Sequence, residues 1–151
     1  REVGLDAEIY GCGVAVGDVD GDRDDDILVT GIGKNLLFRN DRSRFVDITQ
    51  EAGLSVPPET WSTSAGFFDY DKDGDLDLFI CNYVHWTKQI DLTADYRLVG
   101  IGRSYGPPFN FEGTQSFLYR NNGNRTFGEV GLLAGVALPN RPRAPATRRG
   151  G

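Results

Sequence analysis

The chain has 151 residues, of which 39% are hydrophobic and 11% aromatic, so it can build the core of one ordinary domain and is not a disordered chain. Sixteen basic and 22 acidic residues give a net charge of −6, and no apolar run approaches the length that crosses a bilayer. Glycine is frequent, with 20 residues, and no long segment has helical spacing. The composition therefore favours short strands joined by tight turns, which is an all-β fold.

Eight short strands are predicted in chain order, each bounded by turn residues. They cover residues 12–17, 26–31, 35–39, 44–49, 63–68, 77–83, 116–120 and 126–131. Turn sequences such as RNDRS (39–43) and RNNGN (120–124) contain Asn and Gly, which tolerate the left-handed backbone that tight hairpins need. Antiparallel hairpins are the expected connection between neighbouring strands.

Two aspartate-rich loops follow the first and the fifth strand. Acid loop 1 is DVDGDRDDD (18–26), and acid loop 2 is DYDKDGDLD (69–77), at a constant offset of 51. Together they hold eleven of the 22 acidic residues and only two bases, whereas the rest of the chain carries eleven acids against fourteen bases. Because the acidity is local, it indicates a site and not an acidic surface.

A second pair of segments repeats in the same order. LLFRNDRSRFVDITQEAGL (36–54) matches FLYRNNGNRTFGEVGLLAGV (117–136) at an offset of 81 or 82. A four-stranded antiparallel unit repeated in tandem is typical of β-propeller blades. The sequence predicts a first blade over 1–54, a second blade over 55–138 with a long insertion at 83–117, and a disordered Pro/Arg-rich tail at 139–151.

The acid loops have the donor pattern of a calcium site. Counting Asp18 and Asp69 as position 1, acidic residues occupy positions 1, 3, 5, 7 and 9, and position 7 is expected to offer its backbone carbonyl. Calcium takes six to eight oxygens at about 2.3–2.6 Å, whereas magnesium demands a strict octahedron. We predict about two calcium ions, the alternative being two solvated acidic turns. The predicted metal residues are Asp18, Asp20, Asp22, Asp24, Asp26, Asp69, Asp71, Asp73, Asp75 and Asp77.

The EF-hand is the nearest competing motif, because its loop also begins D-x-D-x-D-G. Acid loop 2 has Gly74 at position 6, but Ile80 occupies position 12, where an EF-hand has Glu, and Val29 does so in the first copy. Strand-like apolar runs follow both loops, where an EF-hand has a helix. The EF-hand and the dockerin-type module both fail on these two points.

These motifs resemble a known repeat family. GDVDGDRDDDILV (17–29) and FDYDKDGDLDLFI (68–80) resemble the calcium loops of FG-GAP and VCBS repeats, the units of integrin-α-like propellers. The segments at 36–54 and 117–130 resemble more narrowly the repeat region of ASPIC/UnbV-type proteins, related to cartilage acidic protein. The resemblance covers roughly residues 10–138 and implies calcium-stabilised propellers that are extracellular, cell-surface or periplasmic and serve binding or adhesion.

Closed propellers have typically four to eight blades, so a chain with two is expected to be a fragment whose partners include the remaining blades. The absence of Met fits a start that is not the natural one. Two blades alone would form an open arc with both acid loops near one rim and an apolar face uncovered at each end. We expect self-association or marginal stability, and the side chains expected to supply these faces are Val14, Val16, Ile27, Val29, Phe67, Leu78 and Ile80.

The insertion is rich in aromatic residues: Tyr83, Trp86, Tyr96, Tyr105, Phe109 and Phe111. Two interpretations stay open, a stacking surface for a carbohydrate or protein ligand and rings that cover the blade faces. Cys12 and Cys81 are either small buried residues or a disulfide.

Catalysis is not expected. The single histidine, His85, has no nucleophile at a matching spacing, and the sequence has no phosphate-binding loop. The alternative is a non-catalytic part of a larger secreted enzyme whose active site lies outside this chain. The basic tail lacks the aromatic interleaving of a nucleic-acid site, so nucleic acid is not an expected partner; its arginines are Arg141, Arg143, Arg148 and Arg149.

Overall fold

The computed structural model describes residues 3–104, 106–107 and 111–137. Within these residues the chain forms ten strands and one short helix. In chain order they are β1 Gly11–Gly17, β2 Asp26–Gly31, β3 Leu36–Asn40, β4 Phe45–Asp47, β5 Thr60–Phe68, β6 Asp77–His85, α1 Lys88–Ala94, β7 Arg97–Leu98, β8 Gly102–Arg103, β9 Phe117–Asn121 and β10 Phe127–Glu129.

Eight of the strands form two four-stranded antiparallel sheets of the same topology. Blade 1 has the order β1-β2-β3-β4, and blade 2 has the order β5-β6-β9-β10. Each blade therefore uses its strands in chain order, with the insertion placed between the second and third strands of blade 2. The all-β prediction of two four-stranded blades is confirmed, and every predicted strand end lies within three residues of the observed one.

Equivalent hairpins support the two acid loops. In blade 1, Gly17 at the end of β1 pairs with Asp26 at the start of β2. In blade 2, Phe68 at the end of β5 pairs with Asp77 at the start of β6. Because the register is the same, each acid loop closes its hairpin at the same position relative to the sheet.

The two sheets lie side by side, with β1 against β5. A methyl group added at Gly13 would lie 2.7 Å from the carbonyl oxygen of Thr63, so glycine is needed for this close approach. A single hydrophobic cluster extends through both blades and includes fully buried residues of each: Leu28, Leu37, Leu54, Leu78 and Ile80. The blades are thus joined by one core.

The expectation about uncovered side chains is only partly correct. Val14 and Val16 of β1 are 61% and 56% exposed, as expected for an open face. Leu78 and Ile80 were predicted to be uncovered and are fully buried, because their side of β6 faces blade 1. Strand alternation identifies the two faces of a sheet, but it does not indicate which face has a neighbour.

The insertion contains regular structure that the sequence did not predict. Helix α1 begins after Thr87, whose hydroxyl accepts a 3.1 Å hydrogen bond from the N–H of Ile90, and β7 pairs with β8 in a small hairpin. Tyr105, Phe109 and the tail at 139–151 lie outside the described residues. No helix of the described chain is long and apolar enough to span a membrane.

The cysteines are not paired. Cys12 is exposed and Cys81 is half-buried, and both are free thiols. Neither alternative therefore holds for Cys12, which is exposed and lies at the irregular start of β1, between Gly11 and Gly13.

Candidate metal centres

The aspartate at position 1 shapes each acid loop. In acid loop 1, Oδ1 of Asp18 accepts hydrogen bonds from the N–H groups of Gly21 and Asp22 at 2.8 and 3.1 Å, and Oδ2 accepts from Arg23 at 2.9 Å. In acid loop 2, Asp69 accepts from the same three positions, at 2.6, 3.2 and 3.1 Å. One carboxylate thus folds the loop around itself, which is a common role of Asp in turns.

The tight turn requires a left-handed backbone at positions 4 and 6. In acid loop 1 these are Gly21 and Arg23, with φ of 77° and 76°. In acid loop 2 they are Lys72 and Gly74, with φ of 66° and 96°. Each loop therefore has one glycine and one basic residue in a conformation that favours glycine.

The aspartate at position 9 anchors the loop to the sheet. Asp26 and Asp77 are fully buried. Oδ2 of each accepts from the N–H of position 2 in its own loop, at 2.9 and 2.8 Å, and Oδ1 accepts from the N–H of Asn40 or Asn121, both at 2.8 Å. Burial raises the pKa of Asp26 above its ordinary value, against the effect of these two hydrogen bonds.

Carboxylates converge in both loops. Oxygen atoms of Asp18, Asp20 and Asp22 lie within 4.8 Å of one another, and the same is true of Asp69, Asp71 and Asp77. Such clusters repel unless a cation lies among them. The side-chain donors of both clusters are carboxylate oxygens, which suit a hard cation such as calcium.

Asp20 provides an independent test of whether the cluster fits a cation. Its side chain is only 2% exposed, and neither carboxylate oxygen has a hydrogen-bond partner among the described residues. Oδ2 lies 3.2 Å from Nε of Arg125, an ion pair without hydrogen-bond geometry. A buried carboxylate oxygen left without a donor is costly, so acid loop 1 fits a bound cation.

The predicted ligands at positions 5 and 7 occupy different surroundings, and of these only Asp22 belongs to a convergent cluster. Asp22 and Asp73 at position 5 each accept from the N–H of position 7, at 2.8 and 2.9 Å. The carboxylate of Asp24 turns away from the cluster and accepts a 3.1 Å bond from the N–H of Arg42 in the turn between β3 and β4. Asp75 lines a groove beside Arg125. The side chains at position 7 thus lie outside both convergent clusters.

Sequence reasoning missed Asn121 and Arg125 as members of the site. Nδ2 of Asn121 donates to the carbonyl of Val19 in acid loop 1 at 2.8 Å and to that of Leu76 in acid loop 2 at 3.2 Å. One side chain therefore contacts both loops, which confirms that they lie near the same rim. The repeated Arg-Asn pair at 39–40 and 120–121 was the available signal.

Comparison with protein families agrees with this geometry. Residues 9–80 match the FG-GAP-like repeat. The matched segment contains both acid loops and runs from just before β1 to Ile80 within β6. It supports assignment to the FG-GAP/VCBS repeats, whose propeller blades the two antiparallel sheets fit. No curated protein matches the chain.

The two blades also form an aromatic cavity at the opposite rim. Strand β6 begins at acid loop 2 and ends near this cavity, which has a volume of about 310 Å³. Trp61 lies 5.6 Å from Tyr83 and 6.1 Å from Trp86 between ring centroids, at interplanar angles of 88° and 74°. Phe111 and Asp91 complete the wall. Three predicted insertion aromatics, Tyr83, Trp86 and Phe111, are thus brought together.

Proposed function

We propose that this chain is a calcium-binding segment of a β-propeller that serves recognition, adhesion or scaffolding outside the cytoplasm, in an extracellular, cell-surface or periplasmic location. The carrying observation is the buried Asp20 carboxylate, which converges with Asp18 and Asp22 and whose two oxygens have no hydrogen-bond donor within the described part of the chain. The matching repeat supports the propeller assignment. The narrower relationship to ASPIC/UnbV-type proteins is part of the proposal, as are further blades in the complete protein.

Calcium has a structural role in this proposal. Asp18, Asp20 and Asp22 would hold one ion, and Asp69, Asp71 and Asp77 a second, with Asp73 as a further ligand at the position equivalent to Asp22. Bound calcium supplies positive charge that offsets the repulsion among these carboxylates. Because the acid loops close the first hairpin of each blade, ion binding to the folded chain stabilises both blades.

Thermal unfolding tests the proposal. We expect the unfolding temperature of chelator-treated protein to rise with millimolar calcium chloride and to rise much less with magnesium chloride. Asp25→Ala is the matched control for the ligand variant Asp22→Ala. Asp25 lies in the same acid loop and is exposed, but it is outside the convergent cluster. Equal responses to the two metals, or no response to calcium, would contradict a calcium site.

We place the recognition role at the aromatic cavity. Trp61 and Trp86 offer a large, rigid contact surface, and Asp91 supplies a polar group in the wall. Titration with oligosaccharides, followed by tryptophan fluorescence, tests the carbohydrate alternative among the proposed ligands. Binding by the wild type that Trp86→Ala removes is the expected result, and an unchanged signal over a broad oligosaccharide panel would leave a protein ligand as the proposal.

The competing proposal is a non-catalytic part of a larger secreted enzyme. It differs from the first only in what the complete protein carries outside this chain. The full-length reading frame distinguishes them, because a catalytic domain beyond the blades would favour the enzyme and an uninterrupted set of blades would favour recognition or scaffolding.

A further inference from the structure

The aromatic cavity is built around a break in the strand pairing of blade 2. The register between β5 and β6 shifts there by one residue, so that Trp61 lies opposite two residues, Tyr83 and Val84. A bulge of this kind breaks the alternation of side chains between the two faces of a sheet. Tyr83 and Val84 are neighbours in sequence, yet both line the cavity together with Trp61. The irregular pairing therefore directs consecutive side chains to one site.

Backbone contacts fix the rings on the scaffold. Trp61 forms an antiparallel bridge with Ile32 of blade 1. The N–H of Trp86 donates a 2.7 Å hydrogen bond to the carbonyl of Glu59, just before β5. Because these positions are set by the sheets, the cavity is largely formed before a ligand arrives, and binding costs less conformational entropy.

The rings form the walls of a box and not a flat platform. Trp61 is close to perpendicular to both of its neighbours, at 88° to Tyr83 and 74° to Trp86. A sugar ring stacks in parallel on one flat aromatic face, whereas aromatic cages surround a quaternary ammonium group with several rings. The volume of about 310 Å³ is at the small end for ligand cavities, so it suits one compact group.

The charge of the wall is negative. Asp91 is the one charged side chain among the described residues that line the cavity, and it is half-buried. Its Oδ2 lies 2.8 Å from Nη2 of Arg103, an ion pair that holds the carboxylate in place and offsets part of its charge. The other lining side chains are aromatic or aliphatic. Ring faces and a carboxylate both attract a cation.

We propose that the aromatic cavity binds a quaternary ammonium group, the trimethylammonium head of a choline-like molecule or of a trimethylated lysine side chain. The inference rests on the recognition role proposed for this cavity, and it names the class of ligand. The ring faces of Trp61, Tyr83 and Trp86 stabilise the positive charge, and Asp91 adds attraction. A trimethylammonium group has no N–H to donate, so a wall with few acceptors leaves it no unsatisfied donor.

NMR titration of the isotope-labelled full chain in calcium-containing buffer tests this binding. The chain has two tryptophans, and both line the cavity, so their indole N–H signals report on it directly. Choline chloride should shift both signals. It should bind about tenfold or more tightly than its neutral analogue, in which a tert-butyl group replaces the trimethylammonium group. A merely apolar cavity would prefer the neutral analogue, because burying a charge costs hydration free energy.

Two variants, each with a matched control, test the rings and the carboxylate. Trp61→Leu should weaken choline binding about tenfold or more, read from the Trp86 signal, whereas Tyr10→Leu should not. Tyr10 is the equivalent residue in blade 1 at the offset of 51, and it is 83% exposed. Asp91→Asn should weaken choline binding severalfold and leave the neutral analogue unaffected. Asp95→Asn is its control, since Asp95 forms a similar 2.9 Å ion pair on the surface.

The backbone amide spectrum shows whether each variant is folded. Tyr83→Leu repeats the ring test at a residue that is 42% exposed, should Trp61→Leu not fold. Phosphocholine and a peptide that contains trimethyl-lysine distinguish the two sources of the group, and the one that binds more tightly than choline identifies the source.

Equal or tighter binding of the neutral analogue overturns the proposal, as does choline binding that the ring variants leave unchanged. Oligosaccharide binding by a chain that does not bind choline would count against the cationic ligand alone, and the recognition role of the cavity would stand. A calcium titration on the same samples tests the metal sites separately, since the acid loops lie at the other rim.

Discussion

The side-chain amide of Asn121 donates a 2.8 Å hydrogen bond to the carbonyl oxygen of Val19, which joins blade 2 to the first acid loop of blade 1. The same amide bonds to Leu76 in the second acid loop. Both acceptors are backbone carbonyls, at position 2 of acid loop 1 and at position 8 of acid loop 2. Asn121 is 2% exposed, so water cannot readily replace its bonds.

Asn121→Ala is expected to lower the free energy of unfolding by about 1–3 kcal/mol, because it leaves two carbonyls without their donor. Chemical denaturation measures this change. The neighbouring Asn122 is exposed and makes its side-chain bonds within its own turn, so Asn122→Ala serves as the control and should cost well under half as much. Similar losses in both variants would mean that the contact between loops adds little.

Asp22→Ala and Asp73→Ala should each remove one bound ion and destabilise mainly the blade that carries the substitution. Asp22 and Asp73 occupy the same position and make the same loop bond, at 2.8 and 2.9 Å, while neighbouring repeats are coupled through their interface only. Calcium-dependent melting combined with amide hydrogen exchange locates the effect. A wild-type calcium response in both variants would show that the loops are solvated turns.

Lys72→Gly and Arg23→Gly should each raise the stability of the calcium-saturated protein by about 0.5–1 kcal/mol. Both residues have positive φ, 66° and 76°, which glycine adopts without steric cost. Saturating calcium limits the effect of removing a positive charge from the loop. Lys34→Gly, outside both loops and without positive φ, is the control and should not stabilise. No gain at either loop position would indicate that the basic side chains offset the strain.

Tyr119 should make stability depend on alkaline pH. Burial, with a smaller effect of Glu129, raises the pKa of its phenol from 10.0 to about 12. The folded state holds the proton more tightly, so this contribution is complete below pH 10 and is lost as the pH rises towards 12, by about 2–3 kcal/mol. The free energy of unfolding, measured by chemical denaturation, should decline more steeply for the wild type than for Tyr119→Phe as the pH rises from about 9 to about 12. Parallel curves would contradict the assignment.

The strands and acid loops could be predicted because the residues that determine them lie close together in the sequence and the same pattern occurs twice. Turn residues marked the strand ends, and the offset of 51 identified Asp18 and Asp69 as equivalent residues. Helix α1 was missed, because it is only seven residues long and lies in the insertion, which has no counterpart in the first repeat. Its N-cap, Thr87, was the one local signal.

Contacts between blades were not predictable in the same way. Asp20 and Arg125 are far apart in sequence, and only the packing of β1 against β5 brings them to 3.2 Å. The burial of Leu78 has the same origin, since the alternation in β6 does not reveal which face meets blade 1. The sequence pattern therefore predicts the strands and loops of each blade. The face of each sheet that is buried between the blades depends on how the two sheets pack.

Isothermal titration calorimetry of chelator-treated protein with calcium tests the central claim most directly. Two equivalent acid loops with convergent carboxylates predict about two ions per chain, at moderate to weak affinity, and weaker binding of magnesium. A stoichiometry below one ion per chain, or equal binding of calcium and magnesium, would contradict the account of these loops as calcium sites.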